Sequence, residues 1–212
     1  MLTKKKKIET LDTRELLLKA ASKLFAEKGF EAVTTRNLAE AADVNIAMIA
    51  YYFGSKDGLF KAIIEERFPK TASKLRLIQK QEGNAWDKIS AIIDMFVERV
   101  TGDSSFHKIV FRELTLEHRT EHRELILSGI EQNWKFIISY IEEGQESGLF
   151  KADIDPEFTL ASLFGTLFQL VNMPSWTNRL VGSNDEKFVT TEAFKTRIRT
   201  HLKAMIKAHL FA

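Results

Sequence analysis

Two stretches of the chain carry residue types whose spacing suggests chemistry. In EHRTEHRE, His118, Glu121 and His122 have the H-x-x-E-H spacing in which two histidines one helical turn apart bind zinc and a glutamate activates water. In NIAMIAYYFGSKDGLF, Asn45–Phe60, the first nine residues hold no charge, although 28% of the chain is Asp, Glu, Lys or Arg. Read as a helix, this segment turns Ile49 and Phe53 inward and Ala47, Met48 and Tyr51 outward, leaving a small, apolar and aromatic face. Such a face suits a major groove: alanine permits close approach, methyl groups meet the thymine methyl, and tyrosine hydroxyls reach phosphates. The competing reading is a short helix buried on all sides. The zinc reading needs a third ligand that the sequence does not identify, and a solvated helix junction explains the same residues. No phosphate loop, nucleotide fingerprint or Ser-His-Asp arrangement is suggested, so no cofactor and no enzymatic activity are expected.

The elements that must position these residues read as all-α. Among 212 residues there are three prolines, and apolar pairs recur at three and four residue spacing. Asp12 with Glu15 reads as a capping box, with Leu11 and Leu16 as a staple, opening a helix that buries Leu16, Ala20, Leu24 and Phe25 and stops at Gly29. Thr34 caps a two-turn helix to about Ala42, with Val33 and Leu38 as its staple. Asp43 then turns the chain and Asn45 caps the next helix, with Val44 and Ile49 paired. A supporting helix followed by two short helices around a tight turn makes a helix-turn-helix.

The stretch VTTRNLAEAADVNIAMIAYYFGSKDGLFKAII, Val33–Ile64, resembles the DNA-binding segment of the TetR family of bacterial transcriptional repressors. Thr35-Arg36 matches the family's Thr-Arg at the start of the second helix, Tyr51-Tyr52-Phe53 its aromatic end of the recognition helix, and Ser55-Lys56 its Ser/Asn-Lys step into the fourth helix. Asp43 stands where the turn usually has Gly, Ala50 where many members have Tyr, and Tyr52 where many have His, so a base preference cannot be copied across. The resemblance implies that Thr35, Tyr51, Tyr52 and Lys56 meet the DNA backbone, while Arg36, Ile46, Ala47 and Met48 face bases, with Asn45 at the head of the recognition helix. Of these, only Arg36 can make a bidentate contact to guanine O6 and N7. Lys56, following the cap Ser55, is placed to share a phosphate with the helix N-terminus.

Composition bounds the rest. Residues 1–70 carry 13 Lys and Arg against 10 Asp and Glu, and 71–212 carry 18 against 19. The excess lies in the run Lys4–Lys7, read as a basic arm over 1–10, followed by a DNA-binding domain over 11–70 and a ligand-binding and dimerisation domain over 71–212. The absence of cysteine and of a secretory pattern at the start points to a reducing cytoplasmic setting. Pro69 is expected to kink or end the fourth helix. Further helices are expected over 86–100, 106–116, 121–146, 156–171 and 191–210, with a movable loop over 172–184. The resemblance implies that this region dimerises and binds a small inducer. Phe96, Phe111, Trp134, Phe164, Phe168 and Trp176, with Arg99, Arg112 and Gln169, could line an apolar pocket with polar anchors or simply pack a core. Leu160, Leu163, Leu167 and Leu170, with Ile198, Leu202, Met205 and Ile206, form two apolar stripes that either pair with their copies in a homodimer or complete the monomer core. The expected partners are thus an operator duplex, a second copy and a small-molecule effector.

Overall fold

The computed structural model describes residues 2–116 and 120–211, with side chains over 13–116 and 121–211. Among the described residues there are ten α-helices and no strand: α1 (Leu2–Lys28), α2 (Thr35–Ala42), α3 (Ala47–Phe53), α4 (Lys56–Gln79), α5 (Ala85–Gly102), α6 (Ser105–Thr115), α7 (Thr120–Glu146), α8 (Pro156–Asn172), α9 (Pro174–Val181) and α10 (Glu192–Leu210). They form two compact units, residues up to Pro69 with Ser105–Gly129, and Lys70–Ser104 with the remainder from Ile130. This cuts across the expected division at residue 70, because α6 folds onto α1 in the first unit.

In the first unit, α1 buries Leu17, Ala21 and Phe25, four residues apart, while Leu16 is half exposed. Phe25 is buried as expected, but at Leu16, Ala20 and Leu24 the expected face is off by one residue, since Leu16, Leu17 and Leu18 are all apolar and leave the helical phase undecided. The helix also begins at Leu2 and not at Asp12. The segment expected as a separate arm contains no Gly or Pro and holds four Lys in a row, a good helix former, so the helix runs through it. Phe25, Phe30 and Phe60 meet with ring centroids 5.4 to 5.7 Å apart. Gly29, at φ 83°, ends α1, and a side chain there would meet the Arg112 guanidinium from α6. Pro69 lies inside α4, which continues to Gln79, so of the two expectations, a kink or an end, the end is corrected.

In the second unit the large apolar residues of α5, α7, α8 and α10 form one core, from Ile92 and Val97 through Ile137 and Leu163 to Leu202. Its helix starts follow the sequence signals. Asn84 and Asp87 cap each other reciprocally, Asp155 accepts from the Phe158 N–H with Pro156 at the first position, and Thr191 accepts from Phe194. Across the surface, α10 pairs with α5 through Lys203–Asp94 at 2.7 Å and Arg199–Glu98 at 2.5 Å. The expected loop over 172–184 contains α9 instead. Pro174 is its first residue and Gly182, left-handed at φ 71°, closes it, so the two loop-like residues are helix ends. Thr177, fully buried, donates to the Leu170 carbonyl at 2.6 Å.

Candidate nucleic-acid interface

The turn between α2 and α3 is built by local hydrogen bonds. Thr34 Oγ1 accepts from the Asn37 N–H at 3.1 Å and Asn37 Oδ1 accepts from the Thr34 N–H at 3.1 Å, closing a capping box. Val33 and Leu38 are buried beside it. Asp43 sits at φ 53°, ψ 48°, the left-handed conformation that this turn demands, and its N–H closes α2 on Ala39 and Glu40. Asn45 Oδ1 then accepts from the Ala47 N–H at 2.8 Å, so its amide caps α3. Ser55 Oγ accepts from the Gly58 N–H at 3.0 Å and caps α4 in the same way.

The resulting face has the expected character. Ile49 is the buried residue of α3, and Tyr51, 72% exposed, stands out from it. Ile46, Ala47 and Ala50 are also exposed, Met48 and Tyr52 are half-buried, and the Tyr51 and Tyr52 rings meet edge to face at 4.9 Å. Arg36 projects from the first turn of α2 and lines one shallow groove with Ile46 and Val44. Thr35 is half-buried next to it. Thr35, Arg36, Ile46, Ala47, Met48, Tyr51 and Tyr52 thus belong to one short structural segment with a chemically neutral centre.

Lys56 is placed differently. Its Nζ donates to the carbonyls of Phe30 at 3.0 Å and Val33 at 2.9 Å and lies 4.2 Å from the centroid of the Phe30 ring. The ammonium thus has partners within the protein, on the turn that links α1 to α2, which the sequence does not reveal. Sequence reasoning also missed Gly58. A Cβ there would lie 1.9 Å from the Phe53 carbonyl oxygen, so only glycine lets the end of α3 approach α4 this closely. A glycine inside an otherwise helical pattern was the available signal.

The zinc reading finds no support among the described residues. His118 lies outside the described residues, while His122 directs Nε2 to Asp57 at 2.6 Å and Nδ1 to Glu113 at 3.4 Å, and Glu121 pairs with Lys61 at 3.1 Å. Both ring nitrogens of His122 are taken, and among the described residues no group of three His, Cys, Asp or Glu is arranged to hold a metal.

The remaining expected sites divide. In the second unit Phe96, Trp134, Phe164 and Phe168 do come together, with Phe164 4.6 Å from Phe96, 6.1 Å from Trp134 and 5.6 Å from Phe168. The Arg99 guanidinium lies 4.7 Å from the centroid of the Phe96 ring and donates to Thr71. Phe111 and Arg112 belong to the first unit, Phe111 exposed and Arg112 against Gly29. Gln169 and Trp176 are exposed, so the expected nine-residue cluster is corrected to five. The expected dimer stripes are corrected too: Leu160, Leu163, Leu167, Ile198, Leu202 and Ile206 are buried in this chain's own core, with Leu170 and Met205 at its margin. Large apolar stripes go to the nearest core, which here is the monomer's.

A capped two-turn helix, a left-handed turn and a neutral, exposed second helix define a helix-turn-helix DNA-binding protein. Residues 17–63 match the family model for bacterial regulatory proteins of the tetR family, and 82–176 that for the tetracyclin repressor-like C-terminal domain. The HTH-type transcriptional repressor NicS of Pseudomonas putida is 32% identical over 151 residues, covering 67% of this chain and 68% of that protein. In fold, the chain is similar to the fatty acid degradation regulator FadR from Bacillus halodurans, with a TM-score of 0.71 at 21% identity over 90% of this chain and 94% of that one. It is likewise similar to the regulator FadR from Bacillus subtilis solved in complex with stearoyl-CoA, with a TM-score of 0.70 at 19% identity over 90% and 97%. The chain belongs to the TetR family: it is a ligand-responsive transcriptional regulator that binds DNA. Among the described residues no helix is long and apolar enough to cross a membrane.

Proposed function

We propose that this chain is a homodimeric repressor that presents α3 to the major groove of a palindromic operator and leaves it when an amphipathic small molecule binds. The observation that carries this reading is the exposed face of α3, where Ala47, Ala50 and Tyr51 stand in solvent without a charge among them. In it Arg36 reads a guanine, Ile46, Ala47 and Met48 read methyl groups and shape, and Thr35, Tyr51 and Tyr52 meet phosphates. Asn45 acts through its cap. Selection of bound duplexes from a random library tests it: a two-fold symmetric consensus with half-sites about one helical turn, roughly 34 to 36 Å, or a multiple apart is the expected result. Recovery of no sequence preference would overturn it.

For the second copy, the support comes from what the core leaves outside. Adjacent helices α8 and α10 keep small residues exposed, Ala161 and Gly165 on one and Ala193, Thr196, Thr200 and Ala204 on the other. Small side chains let helix backbones approach closely, so these faces suit a four-helix junction between two copies. For the effector, the aromatic cluster around Phe164 offers an apolar wall and Arg99 a cation for an anionic end. The related FadR solved with stearoyl-CoA supports a ligand of that class. Titrating the Trp134 fluorescence with stearoyl-CoA, with and without operator, tests this site. By linkage, DNA must weaken the ligand by the factor by which the ligand weakens DNA, typically about 5 to 150-fold. α4, continuous from Lys56 to Gln79, is the proposed route between the two events.

A further inference from the structure

One imidazole joins three helices of the first unit. His122, near the start of α7, is 4% exposed, with Nε2 2.6 Å from Asp57 Oδ1 and Nδ1 3.4 Å from Glu113 Oε2. Asp57 is the second residue of α4, and Glu113, on α6, is 2% exposed. The ring stacks on Phe60 at 4.1 Å and meets the edge of Phe30 at 4.9 Å, the same Phe30 that lies under the Lys56 ammonium. The other charged group tied to this cluster is Lys61 on α4, whose Nζ reaches Asp57 Oδ2 at 3.0 Å and Glu121 Oε2 on α7 at 3.1 Å.

Two carboxylates on the two nitrogens of one ring set its protonation state. A neutral imidazole has a single N–H and would turn a lone pair toward the second carboxylate, whereas an imidazolium donates to both. Losing that proton leaves the ring one N–H for two carboxyl groups, so one of the two arms of the bridge is given up. We propose that His122, as an imidazolium bridging Asp57 and Glu113, is a positioning residue for DNA binding, fixing the first turn of α4, and through it the end of α3, against α6. The inference rests on the reading that α3 meets DNA.

Burial of the ring acts to lower its pKa, but the hydrogen bonds to Glu113 and Asp57, with their charges, outweigh it and hold the pKa above the ordinary 6.5. Burial acts to raise Asp57, and its bonds to Lys61 and His122 outweigh that, holding it below 3.8. The sign follows: a raised histidine pKa means that the bridge is complete below about pH 6.5 and is lost as pH rises through the folded-state value. The Asp57 arm stays charged down to strongly acidic pH, so loss lies on the alkaline side.

The test uses the full-length protein, His122→Gln and Asp57→Asn. Without DNA, the His122 imidazole and the amides of Tyr51, Tyr52 and Gly54 are followed by NMR against pH. With a duplex selected by the wild type, affinity is measured from pH 6 to 8.5 at constant salt. The imidazole midpoint should lie above 6.5 and fall in Asp57→Asn, and the α3 amides should move with the same midpoint. Wild-type affinity should drop above that midpoint by up to about tenfold per pH unit for each chain bound, the limit for one linked proton, beyond any slope shown by His122→Gln. Should His122→Gln not fold, Asp57→Asn carries the comparison by moving the whole profile to lower pH. A midpoint unmoved by Asp57→Asn, α3 amides indifferent to it, or parallel affinity profiles would overturn the proposal. If no duplex is recovered, the DNA-binding reading fails while the two NMR measurements still decide the role of His122.

Discussion

Replacing Lys56 by methionine separates two roles that the same residue could play. Methionine keeps much of the apolar stem over Phe30 and removes the ammonium, which bonds the Phe30 and Val33 carbonyls at 3.0 and 2.9 Å. Hydrogen bonds to charged groups contribute about 1.5 to 3 kcal/mol each, and because Lys56 is half-buried, water recovers part of that, so the lower end applies. The ammonium over the Phe30 ring adds about 0.5 kcal/mol. The loss is then about 3.5 kcal/mol, or roughly 7 to 14 °C in melting temperature for a chain of this length. A lysine that served a phosphate would behave otherwise. Its removal would leave the melt alone and reduce the slope of log affinity against log salt by about 0.9 for each chain bound. Thermal unfolding by circular dichroism and duplex binding between 50 and 200 mM salt, about the usual range for such slopes, measure both. A variant that melts within about 1 °C of wild type and loses about one unit of salt slope for each chain bound would refute the internal clamp.

Arg36→Ala should weaken the selected duplex by about 1 to 3 kcal/mol and random DNA far less; equal losses on both would remove the arginine as a base reader. Thr34→Ala removes the acceptor for the Asn37 N–H and should lower stability by about 1 kcal/mol in denaturant titration. Gly58→Ala drives a methyl group into the Phe53 carbonyl and should abolish duplex binding while the second unit's thermal transition persists; unchanged binding would show that the junction yields freely. Leu202→Glu should unfold the second unit, whereas Ala204→Glu should remain folded and sediment as a monomer. A folded, monomeric Leu202→Glu would restore the leucine stripe as the interface.

How far the sequence spoke depended on whether a residue's partner was near in the chain. Caps act within one helical turn, so Thr34, Asp43, Ser55 and Asp155 could be read directly, and with them the helix-turn-helix. The Leu16–Leu18 run hid the phase of α1 because any of three leucines could face inward. Pro174 and Gly182 concealed α9 because a helix of eight residues is framed by the same residues as a loop. The long-range roles were not legible. That Lys56 returns to Phe30, that Gly58 meets Phe53, and that His122 lies between Asp57 and Glu113 depends on separations of up to 65 residues, which no periodicity encodes. The apolar stripes of α8 and α10 were recognisable as stripes, but only packing decides whether such a surface meets its own core or a second copy.

Lys56, Asp57 and Gly58 are consecutive, and each fastens the first turn of α4 to a different neighbour: the turn after α1, the His122 imidazole, and the last carbonyl of α3. Seven residues are too few to hold a helix on their own propensity, and α3 buries little beyond Ile49. Its orientation must therefore come from outside, and these three attachments supply it at the point where α3 ends. Two of them involve a cation and one an absent side chain, so they respond to different perturbations: charge removal, a change of pH, and added volume. DNA binding should accordingly be sensitive to the residues that hold the first turn of α4, and an effector signal reaching α4 has only to loosen this turn to misplace Tyr51 and Tyr52. The neutral face of α3 supplies the chemistry of recognition; the charged, crowded start of α4 determines where that face points.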